Sequence, residues 1–431
     1  MLIRFTVENF LSFRDRQTLD LMAVRTCKER KDENTFPISE KDSALRTVGL
    51  YGANASGKSN LFEAFGFCAN FIQMSFAERS ASESIETIPF LYDESSKDNP
   101  TAFELEFTIG KTWYKYAFAL TDKVIKSEWL YAKDCNAGTF KPKFIRTREN
   151  DEDGIEVKSF DSADDVIVEK TRDNALFLST CAALAVPEAL AIVRELGSYL
   201  FFSAGADRPN ATARMIEDGQ QKDAIVGMVS KADPSVHDLS VERIEIDTGK
   251  TRANGSAIKR TKYRVMMLHK NDNGGYTSLP LYGLGSLGTR KAFELAGPIF
   301  SALASGTVIF IDELDSRLHP ILTRELIKLF NNPKTNPKNA QLIFNTHDTN
   351  LLNCKVYSPS RDKKEQLLRR DQIYFVERTG EFVSKIYSLV DFRDEDGTAV
   401  RNDASFEKEY LAGKYGAIPY IGDLVLTEDE K

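Results

Sequence analysis

The chain has 431 residues, 42% of them hydrophobic and 28% charged, with a formal net charge of −7. That length suits two or three domains, or one domain with large insertions, and the composition is ordinary for a soluble globular protein. The acidic balance excludes a wholly basic nucleic-acid coat, though not a local basic face, and no apolar run approaches the roughly 18 residues a membrane span needs.

The first residues (MLIRFTVENF) alternate like a half-buried strand over 2–7 and lack the apolar core of a signal peptide. A second short strand is expected near residues 16–22. Residues 25–45 are polar and read as a loop. Five cysteines (Cys27, Cys68, Cys135, Cys181 and Cys354) are scattered with no C-x-x-C pair, which argues against a zinc site or a disulfide framework. The expectation is a reducing, cytoplasmic setting with no membrane.

A β-branched run at 46–51 leads directly into G-A-N-A-S-G-K-S, Gly52 to Ser59. This is the spacing of a phosphate-binding loop, met by chance on the order of once in a hundred chains of this length. The residues are Gly52, Ala53, Asn54, Ala55, Ser56, Gly57, Lys58 and Ser59, with Asn60 following. The glycines let successive N–H groups turn inward around phosphate, and the helix expected from Gly57 onward adds its positive end. Lys58 should reach the β- and γ-phosphates of ATP, and the Ser59 hydroxyl should ligate Mg²⁺.

Residues 101–147 read as an antiparallel meander with tight turns at Gly110-Lys111 and Thr121-Asp122. Residues 162–231 turn helical, and strands resume at 239–246 and 263–268. A glycine-rich stretch at 283–288 opens a helix at about 289–303. Then VIFIDE, Val308 to Glu313, reads as a buried parallel strand ending in two acids. Asp312 suits a Mg²⁺ contact and Glu313 is placed to polarise an attacking water. Two solvated acids at a strand end is the plain alternative, disfavoured once the glycine loop is considered. Lys58 and Asp312 lie much farther apart than in simple nucleotide kinases or small GTPases, so a large insertion separates the halves of the nucleotide fold. A further strand at 341–345 precedes His347.

The order is phosphate loop, Ser-x-Gly helix, Asp-Glu strand, Asp turn and His strand. It resembles the ABC-type ATPases, within them the SMC-like branch, and most nearly the prokaryotic AAA15/AAA21 group found in phage-defence and abortive-infection systems. GANASGKSN, GTRKAFELAGPI, IDELDSRLHP, NTHD, DQIYFVE and KYGAIPYI carry the likeness, which spans nearly the whole chain. It implies an α/β fold: an ABC-type P-loop ATPase head with an N-terminal β-rich lobe and a helical and strand insertion. The divisions would be an ATPase lobe over 1–150, the insertion over 151–275, a second lobe over 276–390 and a tail over 391–431.

By the resemblance, Ser286 and Gly288 are signature residues that contact the γ-phosphate bound to a second protomer. Asp315 is the aspartate of the D-loop, Glu313 the catalytic glutamate, and His347 the switch histidine near the γ-phosphate and the water. Two departures stand out. Leu287 replaces the first of the two signature glycines and Thr289 the following Gln or Glu. No Gln lies between Gln73 and Gln220 to supply the Mg²⁺-contacting residue of these ATPases.

The implied function is an ATP-hydrolysing, ATP-gated homodimer switch in antiviral defence, acting with a separate effector such as a nuclease. A homodimer or higher homo-oligomer is expected, and DNA is left open as a partner. An SMC-like DNA-repair ATPase is the alternative, and a transporter subunit, a fused nuclease and a non-hydrolysing scaffold fit less well. His319 reads as a turn residue, and His237 and His269 as surface or strand residues. Lys259, Arg260, Lys262 and Arg264 read as a solvated face, with phosphate-backbone contact as the alternative. Residues 394–396 read as a solvated acidic loop.

Overall fold

The structure is a computed structural model that describes residues 1–77, 80, 82–149, 152–160, 163–202, 209–251, 257–353, 355–358, 363–394 and 396–419. Contacts divide the chain into two compact units, Met1–Ser198 with Thr349–Lys431, and Tyr199–Asp348. The sequence reading draws its boundaries at 150, 275 and 390, whereas the contacts draw theirs at 198 and 348.

The first unit begins with β1 (Leu2–Glu8), β2 (Gln17–Asp20), a helical turn α1 (Lys31–Asn34), β3 (Thr35–Pro37), β4 (Ser43–Leu45) and β5 (Thr47–Tyr51). The stretch expected as loop over 25–45 therefore holds short elements. Phe36 and Ala44 pack with Ile3, Trp113 and Cys135, anchors too few and too widely spaced to register as a period. The glycine loop follows β5 and leads into α2 (Lys58–Met74) and a helical turn α3 (Glu94–Lys97).

Next comes the meander, β6 (Thr101–Ile109), β7 (Thr112–Leu120), β8 (Ile125–Asp134) and β9 (Lys141–Glu149), continued by β10 (Glu152–Val157). These strands form an antiparallel sheet in the order β10-β9-β8-β7-β6-β1-β2. One face of that sheet is lined with aromatic rings that meet α2. Phe5 lies 4.2 Å from Phe65, Phe103 5.6 Å from Phe67, and Phe118 5.8 Å from Phe71, between ring centroids. Phe67 is half-buried and the other five rings are buried; each fully buried ring is worth roughly 1.5–3 kcal/mol relative to exposure, so the meander fixes the helix that carries the glycine loop.

Helices α4 (Asp165–Lys170), α5 (Phe177–Ala183) and α6 (Pro187–Gly197) complete this stretch. A fully buried carboxylate, Glu128, accepts hydrogen bonds from the Tyr116 hydroxyl (2.8 Å) and from the Phe177 and Leu178 amides (2.7 and 3.0 Å). Arg146, equally buried, lies 3.7 Å from it. Burial pushes the Glu128 carboxyl up, and Arg146 and the hydrogen bonds oppose that.

The second unit holds β11 (Leu200–Phe202), α7 (Pro209–Glu217), α8 (Lys222–Ala232), β12 (Val236–Thr251), β13 (Ala257–Lys270), β14 (Tyr276–Pro280), α9 (Leu281–Leu284), α10 (Leu287–Ser305), β15 (Val308–Ile311), α11 (Pro320–Asn331) and β16 (Gln341–Asn345). Both β11 and β16 pair in parallel with β15, whose four residues are all buried. The helical expectation over 162–231 missed β11, because three residues are too short to show a period; its register places Phe201 on Phe310, their rings stacked at 4.9 Å.

The returning stretch contains β17 (Lys355–Ser358), β18 (Lys363–Gln366), β19 (Ile373–Arg378), β20 (Ser384–Ser388) and α12 (Phe406–Leu411). β19 pairs in parallel with β5 and antiparallel with β20. A buried polar knot secures that alignment. Arg369 bonds Asp371 at 2.6 Å, Asp371 accepts from the Val24 amide at 2.8 Å, and Gln372 donates to the Thr47 hydroxyl at 2.7 Å.

Cys27, Cys68, Cys135 and Cys181 are buried free thiols, whereas Cys354 lies outside the described residues, as do Glu395 and the final residues of the KYGAIPYI string. Among the described residues no single helix is long and apolar enough to cross a membrane.

Candidate functional site

In the first unit, the loop of Gly52 to Ser59 joins a wholly buried strand to a 17-residue helix. Gly52 has φ +154°, and a Cβ there would lie 2.2 Å from the Val376 carbonyl. Gly57 has φ +110°, and a Cβ there would lie 2.2 Å from Ser384 Oγ. Both positions therefore exclude a side chain on steric and backbone grounds. Ala55 also takes a left-handed φ of 60°.

Lys58 is buried at the start of α2, and its Nζ donates to the carbonyls of Gly52 and Ala53, each at 2.8 Å. Asn54, Ala55 and Ser59 are exposed, Ala53 and Asn60 half-buried. Ser56 Oγ is buried and has no hydrogen-bond partner among the described residues. The Ncap of α2 is Gly57, which brings no side chain to the first-turn amides, the arrangement in which a helix N-terminus favours an anion.

The loop is braced by residues that sequence reasoning missed. Ser384 Oγ lies 2.7 Å from both the Ser56 carbonyl and Ser12 Oγ, and Asn60 Nδ2 donates to Ser12 Oγ at 2.8 Å. Arg378 donates to the Ala55 carbonyl at 3.2 Å. These partners come from β19, β20 and the β1–β2 turn, and no local pattern announces them.

In the second unit, Asp312 and Glu313 follow β15. The Asp312 amide donates to the Phe202 carbonyl at 2.8 Å. Asp312 is half-buried and Glu313 exposed, and Glu313 has a left-handed φ of 51°. Asn345 bonds the Asp312 carboxylate and, at 2.6 Å, the Glu313 amide. The His347 amide lies 3.4 Å from both carboxylate oxygens of Asp315, and the His347 side chain is exposed.

Ser286 is the Ncap of α10, its Oγ accepting from the Thr289 amide at 3.1 Å. The carbonyl of Arg317, two residues past Asp315, would lie 2.9 Å from a Cβ on Gly288. The start of α10 thus abuts the turn after β15. Lys291, one turn into α10, is 7% exposed with its Nζ 4.8 Å from the Phe202 ring centroid. Burial lowers its ammonium below the ordinary lysine range, and Glu294 and Glu313 oppose that.

The secondary candidates resolve simply. His319 is an Ncap, its Nδ1 accepting from the Ile321 amide at 3.2 Å. Lys259 and Arg264 pair with Glu245 and Glu242 across the β12–β13 hairpin, both at 3.1 Å; the Arg260 side chain lies outside what is described. Asp394 bridges Lys414 at 3.3 Å, and Asp396 accepts from the Thr398 amide at 2.9 Å.

No curated protein matches the sequence. A solved structure described as "Structure of the recombination mediator protein RecF-ATP in RecFOR pathway" is similar at 13% identity and a TM-score of 0.29, over 90% of this chain and 97% of its own. The family described as "AAA domain, putative AbiEii toxin, Type IV TA system" matches residues 48–353, a span that contains both the glycine loop and His347. With more than half its length matched, the chain belongs to that AAA family.

Proposed function

We propose that the chain binds ATP with Mg²⁺ and hydrolyses it, working as an ATP-gated switch between two copies of itself. The observation that carries this reading is the loop between β5 and α2. Two positions there admit only glycine, a lysine is buried at the base, and a 17-residue helix begins with no side-chain cap.

In this reading the loop amides and Lys58 hold the phosphates and stabilise charge that develops in transfer. Ser59 and Asp312 are the oxygen donors for Mg²⁺, which when bound neutralises phosphate charge. Among the described residues no three His, Cys, Asp or Glu side chains cluster as a metal cage. Mg²⁺ requires none, since it is held through one or two protein oxygens together with phosphates and water. Glu313, exposed at a strand end, accepts a proton from the attacking water, and His347 lies near the γ-phosphate.

Ser286 and Gly288 act in trans on ATP held by a second copy, and Asp315 links the two sites. Exposure of Ser286, with Leu284 and Leu287 beside it at 64% and 55%, supports a surface made for another copy. The family description, which names an AbiEii toxin and a toxin–antitoxin system, supports a defence setting with a separate effector. The test is equilibrium binding of a fluorescent ATP analogue. Lys58→Ala should weaken binding at least tenfold, about 1.4 kcal/mol, and unchanged binding would contradict the reading.

A further inference from the structure

Asn345 ends β16, and its side chain is 1% exposed. It touches three consecutive residues at the end of the neighbouring β15. Its Oδ1 accepts from the Glu313 amide at 2.6 Å, its Nδ2 donates to Asp312 Oδ1, and its main-chain carbonyl accepts from the Leu314 amide at 3.1 Å. A backbone N–H can only donate, so it dictates which end of the carboxamide faces Glu313. The NH₂ group is left for Asp312, whose carboxylate oxygen must accept.

Glu313 holds a left-handed φ of 51°. For a residue with a side chain this conformation is strained and persists only where the surroundings over-determine it. The Asn345 Oδ1 contact and the Leu314 bond to the same residue are such surroundings. The strand that supplies them runs on to His347, whose amide faces the Asp315 carboxylate.

We propose that Asn345 is a positioning residue for the Asp312–Glu313 pair. It holds the Glu313 peptide in its left-handed turn, and it fixes the rotation of the Asp312 carboxylate by committing one oxygen to the carboxamide. Asn345 thereby makes the two acids and the His347 strand one rigid piece. The inference rests on the ATPase reading for what the two acids do, and on the geometry alone for how they are held.

The experiment compares the wild-type chain with Asn345→Ala, which removes both side-chain bonds, and Asn345→Asp, which keeps the shape but replaces the donor to Asp312 with an acceptor. Amide hydrogen exchange across 312–318, measured without nucleotide or Mg²⁺, should be faster in both variants. With ATP and Mg²⁺, kcat should fall about 10- to 100-fold, the usual loss when a partner behind a ligand is removed, with Mg²⁺-free ATP binding kept within about twofold. Either variant, if folded, suffices. Unchanged exchange and unchanged kcat would overturn the proposal, as would parallel losses of melting temperature and Mg²⁺-free ATP binding, the mark of a merely structural residue. If the wild-type chain releases no phosphate, the ATPase reading fails instead, and the exchange result still decides whether Asn345 holds the turn.

Discussion

Ser286 and Thr289 are joined twice at the start of α10: the Thr289 amide donates to Ser286 Oγ at 3.1 Å, and the two hydroxyls lie 2.7 Å apart. Thr289 Oγ1 also reaches Asp233 Oδ2 at 3.2 Å. The threonine that stands where the signature pattern carries Gln or Glu is therefore buried and used to hold the helix start, while Ser286 keeps its surface position.

Ser286→Arg should abolish ATP-dependent association while leaving ATP binding by the single chain intact. Loss of the cap should cost only about 1 kcal/mol. Sizing profiles with and without ATP check this, and an ATP-dependent shift that survives the substitution would count against the trans role.

Arg146→Met should destabilise the chain by about 3–5 kcal/mol, because it leaves Glu128 buried without its cationic neighbour. The Ala175 and Arg172 carbonyls, which accept from Arg146 at 2.7 and 3.2 Å, lose their donor as well. Urea unfolding gives the number, and a loss under about 1 kcal/mol would show that the pair is not isolated from water.

Lys291→Met should raise stability at neutral pH, since the burial that lowers the lysine outweighs its acidic neighbours. The sign follows from proton counting. Between the lowered folded value and the ordinary 10.5, the unfolded chain binds the proton and the folded chain does not, so wild-type stability gains with pH in that window. The advantage of the variant should therefore be full below the window and shrink through it. Unfolding curves at pH 7.5 and 10 read this difference; an advantage that grows with pH would be the wrong sign.

The glycine loop was legible because its chemistry is local: Gly52, Gly57, Lys58 and Ser59 fall within eight residues, between a strand and a helix that their own patterns disclose. The meander and the apolar runs of β15 and β16 were legible for the same reason. What stayed hidden depends on contacts distant in sequence. Ser12 and Ser384 meet beneath the loop from positions 372 residues apart, and β11 is a strand only because β15 lies beside it. Asn345 offered one signal. A polar residue closing an otherwise apolar buried strand needs a buried partner, and the acids ending the other apolar strand were the available candidates.

Glu313→Gln tests the central claim most directly. Phosphate release from ATP should fall at least 100-fold, about 2.7 kcal/mol in the barrier, while ATP still binds and the chain accumulates as an ATP-bound dimer on sizing. Phosphate release at the wild-type rate from a folded Glu313→Gln chain would contradict the account.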